Sequence, residues 1–439
     1  MLKRLSIPLL TAILAMAACD NSNGPLSPPP VADACPVDAQ KQFVLDAMRD
    51  VYYWNDLLPE IVDLDSYATP EALLEDLIAV QPLDDYSYID LLESDSQFFN
   101  EGQYEGFGFS SRFESADELR FLSVFAESPA AAAGFVRGQR IVMLNGRTIA
   151  DIESNEGIGE LFALPSLEFT VRRPDNSEFE VTVEKSLVTI DPVPLTRKID
   201  VPGGNSVGYL LLTSFIGTAH ATFETVFADF AQAGVTDVII DLRYNGGGRV
   251  DTAELLGDYL GGTVNDGLVF SKTQFNDNNS LSNRIALFEQ PTASINLSSL
   301  VVIATDRTAS ASELVTNSMF PYANVSIVGS PTLGKPVGQL GIQFCDKILR
   351  PTAFETLNAD DEGGYFGGLP VNCPAADDLF VPVGDDLDPN LESALYLLEN
   401  GACPTPPVAT TERTKPALSR DSARQLRHRP VWQKFAGAY

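Results

Sequence analysis

The chain has 439 residues, 44% of them hydrophobic, and carries 60 acidic against 29 basic side chains for a formal net charge of −31. That length exceeds one ordinary domain and predicts two or three, with ample apolar content for packed cores. A surface this acidic repels phosphate backbones and anionic headgroups, which argues against nucleic acid as a partner.

The N-terminus reads as an export signal. Lys3 and Arg4 precede a short apolar stretch from Ile7 to Met16, and Met16-Ala17-Ala18 stand before Cys19. The stretch is too short to span a bilayer. Small residues directly before a cysteine resemble the bacterial lipoprotein processing site. The resemblance implies a signal peptide of residues 1–18, Cys19 as a lipid anchor, and membrane contact through that anchor alone. Met16 stands where the pattern prefers Leu, so ordinary cleavage into the periplasm or medium is the alternative. Residues 19–36 then form a linker, Pro/Ser/Asn-rich from 20 to 34, suited to a tether. At the other end, residues 404–439 hold seven Lys/Arg against two Asp/Glu, which makes a basic, Pro-rich tail read as disordered.

Cys35, Cys345, Cys373 and Cys403 make an even set in an exported chain, which predicts disulfides. Of the three connectivities we expect Cys345–Cys373 within one segment and Cys35–Cys403 clamping the ends of the body. The spacings do not form a CxxC pair, so no metal site is expected.

Residues 37–102 predict a helical cap. Phe43, Val44, Met48, Val51 and Tyr52 make a helical stripe, and Thr69-Pro70-Glu71 opens a second helix through Leu73, Leu74, Leu77 and Ile78. Residues 103–190 change to short strands and turns, with a hairpin at Asp175-Asn176. The run SPAAAAG…GQRIVMLNGRTI (128–149) resembles the second half of a PDZ domain. Gly106, Phe107, Gly108 and Phe109 resemble its carboxylate-binding loop, where backbone N–H groups converge on a peptide C-terminus. A β module with ordinary glycine turns is the plainer alternative.

Residues 191–403 alternate strands and helices, the pattern of an α/β layer structure. Strands are expected at 209–212, 238–242, 300–304 and 325–328, and helices at 219–232, from 252 and from about 310. Only two histidines exist, His220 and His428, and there is no GxSxG elbow, HExxH or P-loop. What remains is a serine activated without imidazole. Ser310 follows a buried strand and opens a helix, so the amides after it are free to meet an oxyanion. Ser310 with Glu313 also reads as a plain capping box, and Lys335, 25 residues on in a Gly-Lys-Pro turn, as a surface lysine.

Three segments together are more specific. DLRYNGGG (241–248), Ser310-Ala311-Ser312-Glu313, and Gly334-Lys335 with Gln339 four beyond resemble the C-terminal processing peptidases, also called tail-specific proteases. Gly246 stands where many relatives have Pro. The resemblance runs from about residue 40 to 400 and is weakest between 340 and 385. It implies an α/β fold with a Clp protease/crotonase-like catalytic domain, an inserted PDZ-like module and the helical cap. It further implies Ser310 as nucleophile, Lys335 as general base, Gln339 as its orienting partner, and the amides of Gly247 and Ala311 as oxyanion hole. The expected enzyme is a cofactor-free serine peptidase acting on polypeptides with free C-termini, with an activating partner protein left open. The lysine must then be neutral at working pH, about three units below its ordinary value near 10.4. The rivals are a ligand carrier on the same scaffold, as in interphotoreceptor retinoid-binding protein, and a PDZ scaffold with an inactive catalytic domain.

Overall fold

The apolar centres of Asp237–Asp241 (DVIID) and Ser299–Ala304 (SLVVIA) offer no polar face, which marks inner strands covered on both sides. In the computed structural model, which describes residues 35–155, 157–202 and 206–405, they lie at the centre of a six-stranded sheet. The proposed leader, Cys19, the 20–34 tether and nearly all of the basic tail fall outside those residues. The strand order is Leu195–Asp200, Ser206–Leu211, Asp237–Asp241, Ser299–Ala304, Asn324–Gly329 and Cys373–Pro374. The first pair is antiparallel and every later pair parallel.

Alternate residues of each strand face opposite layers. Val238, Ile240, Leu300 and Val302 pack on the helices Ala219–Gln232, Val250–Asn265 and Ala311–Met319. Ile239, Val301 and Ile303 face the other way, onto Leu391 and Ala394 of the helix Pro389–Asn400. Helix 219–232 buries Phe223, Val226, Phe227 and Phe230 at the spacing its sequence predicts. The parallel strands 237–241, 299–304 and 324–329 are neighbours, so the loops after them emerge at one sheet edge, the usual place for a site in an open α/β sheet.

The N-terminal unit has the two expected helices, Val37–Val51 and Pro70–Ile78, the latter capped by the Thr69 side chain on the Ala72 amide. Their apolar faces close on Phe344 and Leu349 of the hairpin formed by strands Ile342–Phe344 and Lys347–Arg350. This unit is not purely helical: strand Tyr88–Leu91 pairs antiparallel with 347–350. Residues 109–184 form a separate antiparallel sheet in the order 109–115, 118–124, 140–144, 166–172 and 178–184. A phenylalanine-rich core of Phe107, Phe109, Phe121, Phe135, Phe162 and Phe169 fills it. The chain enters and leaves this module through one antiparallel pair, Gln103–Gly106 with Ser186–Thr189.

The disulfide pairing differs from expectation. Cys35 joins Cys345 and Cys373 joins Cys403. Helix 37–51 packs on the 342–350 hairpin, which brings Cys35 to its turn. Helix 389–400 packs on the face of the main sheet that carries Cys373, so its end returns Cys403 there. Cys345 and Cys373, close in sequence, are kept apart: the first lies in the turn of the 342–350 hairpin and the second in the edge strand of the main sheet. No helix among the described residues is long and apolar enough to cross a membrane.

Candidate active site

Three loops at the C-terminal edge of the parallel strands are bound to one another by buried polar groups. Asn245, fully buried, is the hub. Its side-chain amide donates to the Leu212 carbonyl (2.8 Å), and its own carbonyl accepts from the Ala309 amide (3.0 Å) and from Ser312 Oγ (3.0 Å). Thr308 Oγ1 donates to the Leu242 carbonyl (2.7 Å), and the Leu333 amide to the Thr308 carbonyl (2.9 Å). Behind them Arg243, also buried, pairs with Asp241 and Asp388, which locks the start of the glycine loop.

Ser310 precedes helix 311–319 with φ +58° and ψ −117°. A non-glycine residue held there carries strain that the surrounding structure must offset. Glu313 supplies much of that support. Its carboxylate, wholly buried, accepts the amides of Ser310 (2.9 Å) and Lys335 (2.8 Å) on Oε2. On Oε1 it accepts the Gly334 amide (2.7 Å) and the Thr332 hydroxyl. One side chain thus ties the serine loop to the lysine turn. Burial pushes the Glu313 carboxyl above its ordinary value, against the pull of those four donors. The capping box seen in the sequence is real, yet it does more than start a helix.

Lys335 is buried to 9% exposure, and its Nζ donates to Gln339 Oε1 at 2.8 Å. Both Gln339 amide hydrogens are engaged, by the Tyr86 carbonyl (2.6 Å) and the Arg350 carbonyl (3.1 Å), so its oxygen must face the lysine. Ser310, Lys335, Gln339, Gly246 and Gly248 line one cleft of about 390 Å³, rimmed by Asp95, Arg249, Asp251 and Arg350. Ser312, by contrast, is fully buried. The Ala311 amide opens helix 311–319 beside Gly247. A Cβ built on Gly247, whose φ is +99°, would lie 2.8 Å from Ala311 N and 2.7 Å from Ser310 Cβ. The Gly247 amide itself donates to Asn245 Oδ1 (2.9 Å).

A second, larger and mainly apolar cleft of about 1150 Å³ lies between the β module and the body. Leu122, Val124, Phe125 and Val136 line it from the module, and Tyr244, Ala309 and Phe380 from the body. Gly246 lines both clefts, so they meet next to Ser310. The four residues 106–109 line neither. Phe107 and Phe109 are fully buried in the module core, and Gly108 is packed against Ser128, whose Oγ donates to its carbonyl. His220 pairs with Thr252 Oγ1 and lines neither cleft. Tyr86, Asn245 and the bridging part of Glu313 were not singled out from the sequence. Asn245 lies within the DLRYNGGG segment, but nothing local marks Tyr86.

Residues 206–366 match peptidase family S41, and residues 39–88 match the peptidase S41 N-terminal domain. The carboxy-terminal processing protease CtpA of Bacillus subtilis is 23% identical over 302 residues, 66% of this chain and 60% of that protein. The chloroplastic carboxyl-terminal-processing peptidase 3 of Arabidopsis thaliana is 26% identical over 255 residues, 54% of this chain and 46% of that one. The matched region thus spans three fifths or less of these curated relatives. Among solved structures, an S41-family protein from Bacteroides fragilis superposes with a TM-score of 0.65 at 24% identity, covering 81% of this chain and 97% of that one. The photosystem II D1 C-terminal processing protease gives 0.51 at 19% identity, covering 84% and 98%. Both structural likenesses bear on the fold, a mixed α/β body with an N-terminal domain. Residues 39–88 and 206–366 are thus similar to the two domains of the S41 peptidases, and with these relatives they support a serine-type peptidase.

Proposed function

We propose that this chain is an exported serine endopeptidase that cleaves polypeptides selected by their C-termini, with Ser310 as nucleophile, Lys335 as general base and Gln339 orienting the base. One observation carries the reading: Ser310 lines the same cleft as a buried lysine whose amine is aimed by a fixed glutamine, while its neighbour Ser312 is withdrawn into the structure. The chemistry follows from that placement. Neutral Lys335 Nζ takes the Ser310 hydroxyl proton as Oγ bonds to the scissile carbonyl carbon. The resulting ammonium returns the proton to the leaving amine as the C–N bond breaks, and water then repeats the cycle on the acyl-enzyme. The mechanism requires Lys335 to be neutral when it accepts that proton.

The developing oxyanion is assigned to the Ala311 amide and to the Gly247 amide, which leaves Asn245 Oδ1 to reach it. The 103–190 module is read as PDZ-like and the 191–403 layer as Clp protease/crotonase-like, with the 37–102 cap in front. In this reading the apolar cleft between module and body receives the substrate tail and hands it to Ser310 at Gly246. With the Phe107 and Phe109 rings built into the module core, the part of Gly106 to Phe109 assigned to the terminal carboxylate is their backbone. Neither a cofactor nor nucleic acid has a part. Cys19 would place the enzyme on the periplasmic side of a membrane.

The test is turnover of an unfolded polypeptide, followed by mass spectrometry of the fragments. Ser310→Ala and Lys335→Ala should each reduce cleavage to background. Ser312→Ala should retain most of it and lose about 1 kcal/mol of stability through the Asn245 bond. Equal loss from Ser312→Ala would reject the choice of nucleophile. Binding of peptides with free C-termini without any cutting would favour a scaffold instead.

A further inference from the structure

The described contacts of the lysine and glutamine do not all come from the 191–403 region. Tyr86 belongs to the N-terminal unit, in the turn between helix 70–78 and strand 88–91. Its ring lies under Lys335, with Nζ 4.8 Å from the ring centroid. Its hydroxyl donates to the Gly334 carbonyl at 3.1 Å, and its backbone carbonyl accepts the Gln339 amide at 2.6 Å. One residue therefore touches the lysine turn, the lysine amine and the glutamine that aims it.

The turn that carries Tyr86 is itself held to the body. Asp84, buried, accepts the amides of Tyr86 (3.0 Å) and Ser87 (3.0 Å), the Ser87 hydroxyl (2.6 Å) and Thr352 Oγ1 (3.0 Å). Ser87 Oγ in turn accepts the Thr352 amide (2.9 Å), at the start of strand Thr352–Leu357, which pairs with the strand of Gln339. This lock leaves the Tyr86 ring little freedom.

We propose that Tyr86 is a positioning residue for the Ser310–Lys335 pair: its ring holds the Lys335 amine and its carbonyl fixes Gln339, so the N-terminal unit completes the site. The proposal rests on the peptidase reading above. The face of an aromatic ring attracts a cation, so Tyr86 stabilises the ammonium that forms during proton transfer as well as placing the amine. The other charged groups on this cleft are Asp95, Arg249, Asp251 and Arg350, and Glu313 lies behind it on the Lys335 amide. Arg350 is paired with Asp95 and Arg249 with Asp251, so removing the Tyr86 ring changes none of these charges.

The experiment measures turnover of an unfolded polypeptide by the full chain from about pH 5 to about pH 10, per site labelled at completion by a fluorophosphonate. Tyr86→Leu should lower kcat at least about tenfold at unchanged KM and move the acidic limb of the profile to lower pH, because the ammonium has lost its ring. Tyr86→Phe keeps the ring and should keep the limb. Tyr86→Met, of similar reach without a ring, replaces Leu if that variant does not fold. Wild-type kcat and limb in the Leu or Met variant would overturn the proposal. So would a loss explained wholly by fewer labelled sites with the limb in place, the mark of a merely structural role. In either case wild-type cleavage and labelling of Ser310 leave the peptidase reading standing; if wild type does neither, both readings fall together.

Discussion

Glu313 is the residue whose two readings diverge most. In the sequence it completes a capping box, which needs only one carboxylate bond to the Ser310 amide. In the structure its two oxygens take four donors, from Ser310, Thr332, Gly334 and Lys335. An amide in its place keeps the shape but sets an NH₂ against at least one backbone N–H. Glu313→Gln should therefore cost about 1–3 kcal/mol, the penalty of a buried unpaired polar group, read as a fall in the unfolding midpoint. It should also reduce kcat far more than KM, since the serine loop and the lysine turn lose their common anchor. A variant with unchanged kcat would show that the two loops hold their places without it.

Elements with strong local signals were legible in advance. The four buried strands and the helices 219–232, 250–265 and 311–319 lie where apolar runs and helical spacing put them, because each buries a continuous face. Strand 88–91 was not, since its partner 347–350 lies more than 250 residues away and YIDL alternates too briefly to announce a strand. The cystine pairing failed for the same reason. Which cysteines meet depends on helix 37–51 folding onto the 342–350 hairpin and on helix 389–400 lying against the main sheet. Peptide mapping without reduction should recover Cys35 linked to Cys345 and Cys373 linked to Cys403; a Cys345–Cys373 peptide would contradict the packing described. Replacing Cys35 and Cys345 together by Ser should destabilise the protein by about 5 kcal/mol, the upper end for a disulfide, since the bond closes a loop of 310 residues.

At the scale of the whole molecule, one carboxylate gathers side chains of both the β module and the body. Asp377 accepts from Arg137 (2.7 Å) and Arg112 (2.9 Å) of the module and from the Tyr244 hydroxyl of the body. Arg137 also lies over the Tyr244 ring. Burial pushes the Asp377 carboxyl up, but the Arg137 and Arg112 guanidiniums outweigh it and hold it below its ordinary value. A depressed carboxyl adds stability above the unfolded value of about 3.9 and loses it as pH falls through the lower folded value. The unfolding midpoint of Asp377→Asn should thus lie below wild type near neutrality, with the gap narrowing below about pH 4. A gap that stays constant into acid would remove the ion pairs from the account. The sequence offered no sign of this junction: Asp377 sits in the 340–385 stretch where the family resemblance is weakest, and its partners are more than 100 residues away.

The central claim is that a serine without imidazole is made nucleophilic by a withdrawn lysine. Its most direct measurement is the site of fluorophosphonate modification, mapped by mass spectrometry in wild type, Ser310→Ala and Lys335→Ala. The account predicts one modified residue, Ser310, with no modification in the first variant and a greatly slowed reaction in the second. Modification of another serine, or undiminished labelling of Ser310 once Lys335 is gone, would contradict it.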